Sequence, residues 1–268
     1  MTLRLLCIGA HPDDCEFKTG GLTALWTGLG REARFLCMTD GSAGHHEQGG
    51  QVLVERRRNE ARNGAASVGA DSVMLGNPDG CLMPTLENRE RLITEIRTYQ
   101  PDVIVAPRTN DYHPDHRYTA ILVQDACYMM MVPNIVPLVP VLKKNPVVLL
   151  MSDRFTNPPF EPDLVFDLDS VIERKIDAGL QHISQVQEWL PHIGGYAGEL
   201  PEPGPERDRY LRSRESGKAI AEADRFRDHL IARYGEERGR SVRHAEAFAV
   251  SEYAAPLTDS LAKELFPF

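Results

Sequence analysis

The chain has 268 residues, 42% hydrophobic and 26% charged, enough to bury the core of one soluble domain. Its net charge of −9 argues against nucleic acid as a partner, because a phosphate backbone calls for a clustered Lys/Arg surface. No run of 18 apolar residues is present and Met1 leads straight into a strand-like stretch, so no membrane insertion and a cytoplasmic setting are expected. Five cysteines without a C-x-x-C pair point to reduced thiols, not to a disulfide framework or a cysteine zinc cluster.

Residues 3–9 form a mostly apolar run ending at a glycine, and 33–39, 72–75 and 103–107 are similar short runs. Between them, 17–30, 52–69 and 86–100 carry helical periodicity. This alternation predicts βαβ units and a Rossmann-like α/β fold, three layers with a parallel sheet and helices on both faces. Ligands of such folds bind outside the carboxyl ends of the strands, so a site is expected in the loops after Gly9, Thr39, Leu75 and Pro107. A helical stretch from 119 toward 132, a proline-rich segment over 133–146 and a strand over 147–151 follow. A helix is predicted over 170–190, with Ser170 as N-cap, Glu173 as its capping-box partner and Pro191 past its end, then a surface loop over 199–205.

The first strand delivers the chain into Ala10-His11-Pro12-Asp13-Asp14-Cys15-Glu16. Adjacent carboxylates at a buried strand end repel each other, and they persist there only if a cation or hydrogen-bond donors hold them. The fourth strand runs into a similar packet, Arg108-Thr109-Asn110-Asp111-Tyr112-His113-Pro114-Asp115-His116. One His-Pro-Asp alone reads equally well as turn residues; two at two strand ends do not. Taken together, His11, Asp14 and His116 make an open His/His/Asp set whose remaining coordination positions can take water or substrate, which signals catalysis. Imidazole and carboxylate without thiolate fit zinc best, with iron(II) or another first-row ion also compatible.

The pair Ala10-His11-Pro12-Asp13-Asp14-x-Glu16 and His113-Pro114-Asp115-His116 resembles the signature of the PIG-L (LmbE-like) zinc-dependent deacetylases, which remove N-acetyl groups from N-acetylglucosamine-containing molecules. Thr39-Asp40-Gly41, Arg57 to Glu60, Pro78-Asp79-Gly80 and Lys175 through His182-x-Ser184-Gln185 extend the likeness over residues 3–190. The resemblance implies a catalytic core over 1–190, with 191–268 as a C-terminal helical extension of the same domain. It also implies His11, Asp14 and His116 as zinc ligands, and Asp13, outside the ligand set, as the general base for the attacking water. His113 then serves the oxyanion and the leaving amine, and Asp115 orients its imidazole and raises its pKa.

Arg57 and Asp79 match positions near the family's sugar pocket, against the plainer readings of a surface helix residue and a turn residue. Tyr112 either lines the site or is a packed loop aromatic, and Glu16 opens the following helix behind the ligands. His45 and His46 lie in a glycine-rich loop that either contacts substrate or is solvated; His182 reads as a packing or a functional histidine, and Cys15 as a small filler.

The implied partner is a small-molecule amino sugar or its conjugate. The alternative is an amide hydrolase acting on a non-sugar or thiol-conjugate substrate with the same site. A nucleotide-binding module is disfavoured, because carboxylates stand where G-x-G-x-x-G would meet pyrophosphate. The resemblance further implies a homo-oligomer, trimer or hexamer, with the apolar stretches 128–132 and 265–268 as interface or core.

Overall fold

The apolar runs of the sequence become β1 (Arg4–Gly9), β2 (Glu32–Thr39), β3 (Asp71–Asn77), β4 (Val103–Ala106) and β5 (Val147–Met151). In the computed structural model, which describes residues 2–268, these five lie parallel. Helices α1 (Asp14–Gly28), α2 (Gly50–Ser67), α3 (Leu86–Tyr99) and α4 (Pro114–Met129) follow the first four strands in turn. Two further strands, β6 (Leu164–Asp167) and β7 (Ala245–Val250), complete a sheet of order β3-β2-β1-β4-β5-β7-β6, with β7 antiparallel to both neighbours.

Alternate strand residues feed two cores, as expected for a sheet covered on both faces. Leu5, Cys7, Phe35, Val103 and Val105 pack with Trp26 on one side, and Leu6, Ile8, Leu36, Ile104 and Ala106 with Leu92 and Ile96 on the other. The fold class is the expected three-layer α/β arrangement. The chain winds away from β1 toward β2 and later returns to β1's other side with β4, pairing Leu5 with Val103 and Cys7 with Val105. This switch point opens a crevice at the carboxyl ends of β1 and β4, which sets the two His-Pro-Asp packets side by side.

Several boundaries differ from the sequence reading. The first helix begins at Asp14 rather than at 17, and α4 begins at Pro114, so Asp14, Glu16 and His116 are helical residues. The expected helix over 170–190 is divided into α5 (Ile172–Leu180), a π-helix (Ser184–Trp189) and α6 (Leu190–Ile193). Its capping box does not form: Val171 is the N-cap, with no side-chain bond, and Arg212 Nη1 draws Glu173 outward at 3.0 Å.

The stretch after 190 supplies α7 (Pro205–Arg225), α8 (Arg227–Tyr234), α9 (Glu236–Ser241) and α10 (Asp259–Leu265). It also supplies β7, which the expectation of a helical extension misses. The terminal apolar stretch is core, not interface: Leu265 and Phe266 are buried, and the Phe266 ring lies 5.2 Å from Phe166 and 6.2 Å from Trp26. Tyr128 in the other stretch is exposed. No helix among the described residues is long and apolar enough to cross a membrane.

Candidate active site

His11 leaves β1 and His116 stands in the first turn of α4, yet His11 Nδ1 and His116 Nε2 are only 3.1 Å apart. Asp14 joins them, Oδ2 at 3.7 Å from His11 Nδ1 and Oδ1 at 3.5 Å from His116 Nε2. The backbone amides of Ala10 and His11 donate to Asp14 Oδ2 at 2.8 and 2.9 Å, which fixes the carboxylate against the strand end. Asp111 Oδ1 holds His116 Nδ1 at 3.0 Å and orients its ring. A nitrogen separation of 3.1 Å is one that two bonds of about 2.0–2.1 Å to a single ion can span. The five cysteines take no part: four are buried, Cys81 is exposed, and Cys15 turns its thiol to the Cys7 carbonyl.

The other edge of His11 faces carboxylates, with Nε2 3.1 Å from Asp79 Oδ1 and 3.5 Å from Asp115 Oδ2. Nε2 is buried and out of line for a hydrogen bond to either, so His11, Asp79 and Asp115 form a second possible cation position beside the histidine cluster. Burial opposes charge on His11, but Asp115, Asp14 and Asp79 raise its pKa well above the ordinary histidine value. Burial opposes charge on His116 too, and Asp14 and Asp111 raise it.

Asp13 occupies the N-cap of α1 without capping it, and its carboxylate instead lies 3.2 Å from Arg57 Nη2. Arg57 is 2% exposed, not a surface helix residue; it donates to the carbonyls of Gly41 and Pro12 and lies 3.7 Å from Asp79. Asp79, a half-buried residue rather than an exposed turn one, accepts from the Ala43 amide at 3.3 Å.

His113 caps α4, accepting the Asp115 amide on Nδ1 at 3.1 Å, which leaves Nε2 to carry the proton of the neutral ring. The expected partnership of the Asp115 carboxylate with His113 is not formed. That carboxylate accepts from the amides of Gly80 and Leu82 and faces His11. His113 accordingly has a lowered pKa, through burial and through the neighbouring His11 and His116, with Asp115 opposing.

These groups form the floor of a cavity of about 890 Å³. Tyr112 stands exposed at its mouth, its ring edge-on to His113 and His116. Glu16 lies behind the floor, fully buried, 3.2 Å from the equally buried His182. Gly64 of α2 permits that approach, since a Cβ there would sit 2.8 Å from Glu16 Oε1 and 3.0 Å from His182 Nε2. The glycine-rich loop is pinned: His45 is buried, accepts the amides of Glu47 and Gln48 on Nδ1, and meets Glu188 at 2.8 Å. Arg56 holds Glu188 in turn through two bonds. Sequence reasoning assigned no role to Asp111, Trp189 or the Lys175–Glu246 pair, all lining the same cavity. Asp111 carried a signal in its place in the second packet, and Lys175 in the stretch 175–185 that extends the resemblance; Trp189 and Glu246 carried none.

A family model described as PIG-L, GlcNAc-PI de-N-acetylase, matches residues 6–127. A diacetylchitobiose deacetylase of Thermococcus kodakarensis is 30% identical over 202 residues, covering 71% of this chain and 74% of its own. Among solved structures, the N,N'-diacetylchitobiose deacetylase of Pyrococcus horikoshii, complexed with an inhibitor, superposes with a TM-score of 0.72 at 23% identity, over 93% of this chain and 84% of that one. The 4-carboxy-2-hydroxymuconate hydratase of Pseudomonas putida shares the fold as closely, with a TM-score of 0.74 at 18% identity, over 96% and 99% of the two chains. Two structures at such low identity establish the fold; the relative at 30% identity and the matched family model, which spans both His-Pro-Asp packets, establish that this chain belongs to the PIG-L (LmbE-like) family.

Proposed function

We propose that the chain is a zinc-dependent N-deacetylase that hydrolyses the acetamide of N-acetylglucosamine or a short conjugate of it. One observation carries the reading: His11 Nδ1, His116 Nε2 and Asp14 converge within 3.7 Å at a cavity floor, beside a buried carboxylate, Asp13, outside that set. The donor set of two imidazoles and a carboxylate, free of thiolate, fits zinc. Bound by these three residues, zinc supplies a Lewis acid for the acetyl carbonyl and lowers the pKa of water.

The chain's own groups do the rest. Asp13 takes the proton of the attacking water, and its carboxylate is held in place by Arg57. Burial raises the Asp13 pKa, with Arg57 opposing, which makes it a stronger base than an ordinary aspartate. His113 donates Nε2–H to the carbonyl oxygen as negative charge develops there, its tautomer set by the Asp115 amide. The proton collected by Asp13 passes to the departing amine, leaving acetate and the free amino sugar.

The relative that is a diacetylchitobiose deacetylase supports a sugar substrate. The hydratase on the same fold shows that topology alone does not choose a reaction, so the weight rests on the donor set. The test is acetate release from N-acetylglucosamine and its β-1,4-linked dimer by protein stripped with chelator and resupplied with zinc. Activity lost and regained with about one zinc per chain is expected. No release from either sugar by folded, zinc-loaded protein would overturn the sugar reading in favour of a non-sugar amide, and failure to take up zinc would overturn the metal.

A further inference from the structure

The cavity extends well past the floor, to Trp189, Leu190 and Ile193. At about 890 Å³ it stands near the top of the range for pockets that enclose drug-sized molecules, more than one amino sugar fills. Trp189 ends a π-helix, a rare element frequently found at functional sites. That segment is fastened along its length. Ser184 donates its amide and hydroxyl to Glu60 at 2.9 and 2.5 Å, Gln185 donates to the Gly44 carbonyl at 3.0 Å, and Glu188 is gripped by Arg56 and His45.

The indole is flanked as well as fastened. His46 and His192 stack at 4.0 Å with an interplanar angle of 6°, and Trp189 lies near-parallel to them, 6.4 and 6.0 Å away. Such an aromatic is held before a ligand arrives and loses little freedom on binding. The charge of the cavity also selects. Seven carboxylates line it against five cations. Three of those cations are already engaged, Lys175 by Glu246, Arg57 by Asp13 and Asp79, and Lys218 by Glu215. An anionic substituent finds little there, whereas the apolar C–H face of a neutral sugar ring fits an indole.

We propose that Trp189 is the stacking platform for a second, neutral pyranose ring linked to the N-acetyl sugar, which makes an oligosaccharide the preferred substrate. The assignment rests on the deacetylase reading above. The chain has two tryptophans, and Trp26 is fully buried in the core, so a change of emission on sugar binding reports Trp189.

The experiment compares wild type with Trp189→Ala and Trp189→Phe. The ratio of kcat/KM for the β-1,4-linked N-acetylglucosamine dimer to that for the monosaccharide should favour the dimer. It should fall roughly 3- to 10-fold in Trp189→Ala, mainly through KM, and be largely kept in Trp189→Phe. An unchanged ratio in Trp189→Ala overturns the platform, and so does a preference for a phosphate-bearing N-acetylglucosamine conjugate over the dimer. Emission is then read during titration with the deacetylated dimer, which needs no turnover. A change seen in wild type and lost in Trp189→Phe supports the platform even if no sugar releases acetate, a result that would sink only the deacetylase reading. Acetate release with no emission change and no effect of Trp189→Ala would sink the platform alone.

Discussion

Asp13 and Asp14 are adjacent in the chain, and their carboxylates are pushed in opposite directions. Burial raises Asp13 and Arg57 only partly opposes it; burial acts on Asp14 too, but His116 and His11 hold it far below the ordinary aspartate range. Divergent pKa values in neighbouring carboxyls suit divided roles, and they support the base and ligand roles proposed for the two. Asp13→Asn should therefore cut kcat by about 100-fold or more while zinc content stays near wild type, and Asp14→Asn should lower zinc content itself. Kinetics and elemental analysis on the same preparations decide; zinc lost from Asp13→Asn would put that carboxylate among the ligands. Asp111, behind His116, acts through the ring it orients, so Asp111→Asn should weaken zinc binding by about 10- to 100-fold in a competition titration with a chromophoric chelator. Unchanged affinity would reduce Asp111 to a turn residue. That His11, Asp13, Asp14 and His116 lie together at two strand ends was legible because polar residues at the ends of apolar runs are conspicuous; the roles proposed for them came from the resemblance. The pairing of Asp115 with His11 was not, since local spacing points Asp115 to His113 and only the sheet brings it to His11.

At the scale of elements, α1 is opened by a side chain from the far end of the chain. Glu246 of β7 accepts the amides of Gly21 and Leu22 at 2.8 and 2.7 Å, which an unbroken helix turns toward the carbonyls of Phe17 and Lys18. Lys175 Nζ donates to the Phe17 carbonyl and to Glu246, both at 2.6 Å. Breaking such a buried pair costs about 3–5 kcal/mol. Glu246→Leu should cost more than Lys175→Met, because it orphans two amides as well as a lysine, and urea unfolding that gave the reverse order would refute this account. The π-helix offers a pH test. Arg56 and His45 hold the Glu188 pKa below its ordinary value against a smaller effect of burial. A depressed carboxylate contributes its stability above the ordinary glutamate range and loses it as pH falls through the lowered value. The gap in Tm between wild type and Glu188→Gln should thus be full at neutral pH and close on acidification; a gap constant into acid would dismiss the ion pair. Five strands and α2, α3 and α4 were readable from periodicity. The strand β7 was not, because its Ala-Glu-Ala-Phe-Ala-Val places a carboxylate in the core and that residue's partners lie 71, 224 and 225 positions away. Nor was the π-helix, since Glu60 diverts Ser184 through a contact 124 residues distant that a 3.6-residue period does not register.

For the whole molecule, the consequence of the topology is that the two His-Pro-Asp loops, with His11 and His116 105 residues apart, meet only when β1 and β4 are paired. The unfolded chain has no such site, so an ion held there stabilises the folded state alone. At a free concentration of about 100 times Kd the gain is about 2.7 kcal/mol, or roughly 5–10 °C in Tm for a chain of this length. Zinc returned to chelator-treated protein should raise Tm by that amount, whereas magnesium, which prefers oxygen donors and its own waters, should not. The same measurement separates the two cation positions that share His11. An ion between His11, His116 and Asp14 loses its stabilising effect in His116→Ala and keeps it in Asp79→Asn; an ion between His11, Asp79 and Asp115 does the reverse. The first outcome is expected, because imidazole pairs suit zinc and the Asp115 carboxylate is already occupied by the amides of Gly80 and Leu82. A zinc shift that survives in His11→Ala would belong to neither position and would remove the metal from the floor of the cavity.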